Sequence, residues 1–267
     1  MRDALAYELV RIRTIRSTWW LTVGAVVVGV GISTLFSWGI SADFADNGVN
    51  GPEPVGALVV TQVAATGQVP SIVCFILALV GVLAWGHEYR HGMIRSSLTA
   101  LTSRPALWLA KFLVVGAWVA VVAFTTFLLA GLVGTLFLSD YLTVLDGQTW
   151  SVIGRQVLYG VLLTWLAMAF TLLTRSQAFA LVMVFLWPLL VESLVKLLFL
   201  LVPQLRDDQE VLRFLPFTAG TKMVDVLSEP TSTFGDPLSP LGGTVVFGLT
   251  AVVLMVASFV SFRTRDA

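Results

Sequence analysis

Apolar residues in this chain gather in long uninterrupted runs instead of alternating with polar ones. Six runs approach or exceed the roughly 20 residues that a helix needs to cross a bilayer. They lie at about 19–40, 69–85, 106–138, 152–173, 177–202 and 241–262. The run at 106–138 is long enough to tilt or to project from the membrane. Tryptophans at both ends of the first run, Trp19 and Trp20 at one and Trp38 at the other, suit interfacial anchors. The pattern predicts an all-α polytopic membrane protein with six transmembrane helices in one domain.

The polar segments complete this layout. Residues 1–18 are basic, and Leu5, Leu9 and Ile12 form a stripe at helical spacing, which predicts an interfacial helix on the membrane surface. Residues 41–54 collect Asp43, Asp46, Asn47, Gly48, Pro52 and Pro54, a loop signature. Residues 55–67 are moderately apolar, a candidate helical lead-in to span two. Residues 86–105 form the longest polar segment between the first five spans. Residues 140–149 make a short loop, and Arg175 sits in a tight turn. Pro188 interrupts the fifth run, so residues 189–202 are expected to leave the span as a short re-entrant helix before the polar, proline-rich stretch to residue 240.

Composition agrees with this picture. The 267 residues are 57% hydrophobic and only 12% charged, and the net charge is zero. No overall basic field exists to hold nucleic acid. The single cysteine, Cys74, lies in an apolar run and can form neither an internal disulfide nor a cysteine metal cluster. The distribution of charge sets the orientation, because cytoplasmic segments of membrane proteins are enriched in lysine and arginine. Arg2, Arg11, Arg13, Arg16, Arg90, Arg95, Arg104, Lys111, Arg175, Arg263 and Arg265 belong to one set of segments. Only Arg155, Lys196, Arg206, Arg213 and Lys222 belong to the other, which also carries most of the acids. Both termini and residues 86–105 are therefore expected in the cytoplasm, with 41–54, 140–149 and 204–240 outside.

Two short motifs point to chemistry. His87-Glu88-Tyr89-Arg90-His91 matches H-E-x-x-H, in which two histidines on one helix face bind zinc and the glutamate acts as general base. Val144-Leu145-Asp146-Gly147 contains the Leu-Asp-Gly that intramembrane zinc proteases of the site-2 type place downstream, with the aspartate as third ligand. An intramembrane zinc metalloprotease is therefore the alternative reading. Its difficulty is span three, which lies between His91 and Asp146. A crossing of about 30 Å separates groups that must both sit about 2 Å from one metal. A secondary transporter would need ionisable groups near mid-membrane, and spans one to four and six carry none near their centres.

Read as a whole, Gly86 to Thr99 resembles the first cytoplasmic loop of ABC type-2 permeases, commonly E-Y-x-x-G-T-I-R followed by small hydroxyl residues. Glu88, Tyr89, Gly92, Ile94 and Arg95 match, and Met93 departs from the commoner threonine. The basic start, six spans and Leu215-Pro216-Phe217 before the last span fit the same family. The resemblance implies the permease subunit of an ATP-driven exporter. Such a subunit works in the cell membrane as a homo- or heterodimer with a second permease chain. Separate cytoplasmic ATPase subunits drive it, and they hold the ATP and magnesium. Residues 86–105 would be the coupling segment, with Glu88, Tyr89, Arg90, Gly92, Ile94, Arg95, Leu98 and Leu101 as coupling residues. Ile94, Leu98 and Leu101 would pack into an ATPase groove. Glu88 is expected either at the rim of that groove or bracing the junction with span two by pairing with a basic residue. No G-x-x-x-x-G-K-[ST] phosphate loop occurs in the chain, so no cofactor is expected here and the chain is expected to be no enzyme.

Two further expectations concern the interior. Glu192 and Lys196 stand i, i+4 in the favourable order and are expected to pair locally near the outer interface, worth about 0.2–0.5 kcal/mol. Phe36, Phe75 and Trp187 are candidate linings of a path for a hydrophobic or amphipathic cargo.

Overall fold

The structure, a computed structural model, describes residues 1–48, 55–61, 71–93, 104–226 and 238–264. The fold is all-helical. Helix α1 spans Arg2–Thr14. Span one is α2, Arg16–Asn47, and the short α3 covers Val55–Thr61. Span two is α4, Ile72–Arg90, span three is α5, Arg104–Leu138, and span four is α6, Gly147–Thr174. Span five joins α7, Gln177–Leu186, and α8, Glu192–Leu201, through a π turn at Trp187–Val191. A 3-10 stretch, Pro203–Phe214, leads to the short α9, Pro216–Val224, and span six is α10, Pro240–Thr264. Among the described residues, six helices are long and apolar enough to cross a membrane.

Small residues let the spans approach closely, as they must where lipid offers no hydrophobic drive for helix association. Span one buries Ala25, Gly29, Ser33 and Ser37, four residues apart, and presents them to span three. There the Ser33 hydroxyl donates to the Ala130 carbonyl at 3.0 Å, and the Trp118 indole N–H donates to the Thr22 hydroxyl at 3.1 Å. The opposite face of span one stays exposed, with Trp20 and Trp38 at its two ends as anchors. Spans two and four form the centre of the bundle, burying Cys74, Leu77, Ala78, Leu163, Leu166 and Ala167.

Span two runs as helix to Arg90, five residues past its expected end, and three further element boundaries differ from the sequence expectation. Span one continues as helix to Asn47, because Phe44 packs edge-on against Tyr141 at 5.5 Å and the Asn47 amide donates to Asp43 at 2.8 Å. Span four begins at Gly147, where the Asp146 carboxylate caps the helix by accepting from the Thr149 amide at 2.7 Å. Pro188 does not end span five. The π turn widens the helix around the proline ring, and helical structure runs on to Leu201. The short α9 follows later and packs beside spans four and six.

The contact of α9 with span six allows no extra atom. A Cβ on Gly243 would lie 2.5 Å from the Ala219 carbonyl oxygen and 2.8 Å from the Met223 nitrogen, both backbone atoms. Gly243→Ala is therefore expected to cost about 1–3 kcal/mol of stability, read as a lowered melting temperature in detergent. Gly248→Ala, where the added atom meets open space, serves as the near-neutral control.

Candidate functional site: a buried charge cluster where span two meets span three

Four charged side chains from three helices meet under the N-terminal helix. Glu8 and Arg11 stand one turn apart on α1 and point inward. Glu88 lies in the last turn of span two, and Lys111 lies two turns inside span three. The Lys111 ammonium contacts Glu88 Oε1 directly and lies 3.1 Å from Glu8 Oε1. Arg11 Nη1 reaches Glu88 Oε1 at 2.8 Å and Glu8 Oε2 at 3.2 Å. The Lys111, Glu88 and Glu8 side chains are 0%, 1% and 3% exposed, so water does little to screen them. The four formal charges sum to zero, which is what makes burial tolerable.

Neutral partners complete the cluster. The Ala84 carbonyl, one turn before Glu88 on span two, accepts from Arg11 Nη2 at 2.9 Å and from Lys111 at 3.5 Å. Lys111 also sits 4.3 Å from the centre of the Trp85 ring, a cation–π contact. Trp85 meets Phe262, at the end of span six, at 5.3 Å. Ile12, Trp85, Trp108, Phe112 and Phe262 together form an apolar collar. The cluster thus bonds α1 to both helices that flank residues 91–103, and the start and end of the chain meet on the same face of the bundle.

The remaining residues of the polar segment divide by position. Tyr89 stacks obliquely on Trp85 at 6.5 Å and lies 5.9 Å below the Arg175 guanidinium, which brings the turn between spans four and five to this same face. Arg90 is exposed and lines a polar pocket with Tyr89, Arg175 and Gln177. Gly92 has φ +65°, a left-handed conformation that glycine adopts without strain, and it turns the chain out of span two. Ile94, Arg95, Leu98 and Leu101 lie outside the described residues. Glu88 is buried, so it does not stand at a surface rim. Its pairing with Lys111 and Arg11 is the bracing arrangement.

The halves of the zinc-protease motif lie far apart. His87 and His91 are close, with ring centres 6.3 Å apart, and Glu88 beside them touches Lys111. Asp146 follows Leu138, the far end of that same span. At 1.5 Å per residue, Lys111 and Leu138 are about 40 Å apart. The Asp146 carboxylate is engaged as a helix cap. Among the described residues, no group of three or more His, Cys, Asp or Glu side chains is placed to hold a metal.

The candidate path residues do not converge. Phe36 lies on the exposed face of span one. Phe75 is buried against Phe185 at 5.6 Å. Trp187, in the π turn, stacks on Phe170 at 6.4 Å and lines an apolar cavity of about 380 Å³ with Phe217, Leu249 and Val253.

Sequence reasoning missed two features. Glu8 and Arg11 were unremarkable inside a polar start; the available signal was their i, i+3 spacing together with an ionisable Lys111 inside a span. Glu192 makes no hydrogen bond or close salt bridge with Lys196, which it meets only at longer range. Its buried carboxylate accepts from the Phe217 amide at 2.7 Å, the Thr218 amide at 2.8 Å and the Thr218 hydroxyl at 2.7 Å. It therefore caps the first turn of α9, where free amides and the helix dipole favour an anion. Pro216 at the start of that helix marked where the cap was needed.

Comparison with known proteins agrees with this architecture. No curated protein matches the chain significantly. The family model described as ABC-2 family transporter protein matches residues 4–190, which include most of α1, the charge cluster and spans one to four. Six spans in a helical bundle and a match over most of its length place the chain in the ABC-2 family of transporter proteins, as a multi-pass membrane permease component of an ABC transporter.

Proposed function

We propose that this permease forms half of the translocation path of an ATP-driven exporter. In this reading it works as a dimer with a second permease chain, and separate cytoplasmic ATPase subunits, which hold ATP and magnesium, drive it. The observation that carries the reading is the charge cluster. A force applied to residues 91–103 would reach spans two and three through helices already bonded to each other and to α1 by Glu8, Arg11, Glu88 and Lys111. The three elements would move as one body, which is the property a coupling segment requires. Tyr89, Arg90 and Arg175, on the same face, extend the surface offered to the ATPase. The apolar linings around Trp187 suit a hydrophobic or amphipathic cargo.

The reading requires this face to be cytoplasmic, in keeping with its basic residues, and α9 to return from the outer side as a re-entrant helix. Single cysteines in a Cys74→Ala background test the orientation, with an impermeant thiol reagent applied to intact cells. Ser232→Cys is expected to label and Ser97→Cys to stay unlabelled until the cells are opened. The reverse pattern would overturn the orientation.

A further inference from the structure

A groove runs between α1 and spans one and three. Leu9 and Arg13 line it from α1, Trp19 from the start of span one, and Leu113, Trp118 and Val121 from span three. Its volume is about 550 Å³, in the range of small-molecule sites (~300–1,000 Å³). Its walls are apolar except at one end. There the Arg13 side chain is exposed and the Trp19 indole N–H donates to the Arg13 carbonyl at 2.8 Å, fixing the corner between α1 and span one. Trp118 closes the floor, edge-on to Trp19 at 5.4 Å.

We propose that this groove is a binding site for an anionic phospholipid of the leaflet in which α1 lies, with one acyl chain along Leu9, Leu113 and Val121 and the phosphate at Arg13. Three observations carry it. The first is length. The lining on span three runs from Leu113 to Val121, eight residues or about 12 Å along the helix, against about 15 Å for half of the ~30 Å hydrocarbon thickness. The groove therefore runs through most of one leaflet. The second is that an apolar channel facing lipid forfeits dispersion contacts if left empty, and Leu9, Leu113 and Val121 are all exposed along it. The third is charge. Among the described residues Arg13 forms no ion pair, unlike its neighbour Arg11, so its guanidinium remains available at the height of the headgroups. Leu5, Leu9 and Arg13 share one flank of α1, while Glu8 and Arg11 face the cluster. The helix thus uses one side to brace the spans and the other to hold lipid.

The test uses the full-length purified protein in detergent. Mixed phosphatidylglycerol and phosphatidylcholine of matched chains are titrated in, and retained lipids are counted by native mass spectrometry. Wild type is expected to retain phosphatidylglycerol about fivefold better, the preference that one basic residue near a membrane surface supplies. Arg13→Gln should reduce the preference towards unity, whereas Arg16→Gln, an exposed arginine outside the groove lining, should leave most of it. Leu113→Trp should lower retention of both lipids by filling the groove. Unchanged helical content by circular dichroism checks that the variants fold. Equal retention of the two lipids by wild type would overturn the proposal. So would an equal loss in Arg13→Gln and Arg16→Gln, which would mean diffuse surface charge. Exclusion of both lipids from wild type, as when a second copy covers this face, would overturn it as well.

Discussion

Lys111→Met is expected to destabilise the permease by about 3–5 kcal/mol. The substitution keeps most of the side-chain volume but leaves Glu8 and Glu88 buried with Arg11 as their only cation. Two carboxylates at 1% and 3% exposure then share one guanidinium, so one buried negative charge is left without a cation to offset its desolvation. In a domain of this size the loss corresponds to a fall in melting temperature of roughly 6–20 °C. The double variant Lys111→Met/Glu88→Gln restores charge balance, because Glu8 and Arg11 remain as a pair. It should therefore lose less than the single variant, despite carrying one more change. Thermal unfolding in detergent of wild type, the two single variants and the double variant closes the cycle. Additive losses would show that the four side chains do not act as one unit.

Glu192→Gln has the second largest expected effect. The carboxylate takes three donors through two oxygens, and an amide keeps only one acceptor atom while pointing an N–H at a donor. Hydrogen bonds to charged groups contribute about 1.5–3 kcal/mol each, and an abandoned buried donor costs about as much, so a loss of about 2–4 kcal/mol is expected. The loss should concentrate in α9. Amide hydrogen exchange at Phe217 and Thr218 should quicken by about 30-fold or more, while exchange in span one stays unchanged. Lys196→Met should have a much smaller effect, since Lys196 makes no hydrogen bond or close salt bridge to the carboxylate and meets it only at longer range. Unaltered exchange in α9 would remove Glu192 as its anchor.

These residues also show how far a single sequence carries. Long apolar runs are a one-dimensional signal, because a bilayer demands length and dryness from each helix separately, so all six spans were legible. Ala25, Gly29, Ser33 and Ser37 repeat every four residues, but no local spacing names their partner, since Ser33 reaches Ala130 across nearly a hundred positions. The local rules failed in two places. Proline in a run predicts a break, yet at Pro188 a π turn lets the helix continue. The i, i+4 rule pairs Glu192 with Lys196, yet the helix terminus at Phe217 offers converging dipoles and is the stronger partner. At the base of spans two and three, Glu88 and Lys111 were both noticed as sequence features. Their union with Glu8 and Arg11 depends on how α1 folds back under the bundle, which no local spacing encodes.

The proposed coupling role of residues 86–105 is open to direct test at Leu98. Truncating or charging a buried apolar anchor at an interface commonly costs ~2 kcal/mol or more, whereas exposed rim charges cost less. Leu98→Asp should therefore detach or uncouple the ATPase, while Arg95→Ala weakens coupling only mildly. The most direct measurement is copurification of an ABC-type ATPase with this chain from native membranes, with ATP hydrolysis by the complex, for wild type and Leu98→Asp. Wild type is expected to bring down its ATPase, and Leu98→Asp, still folded and in the membrane, to lose the ATPase or its permease-dependent hydrolysis. Normal binding and full hydrolysis by Leu98→Asp would contradict the coupling role.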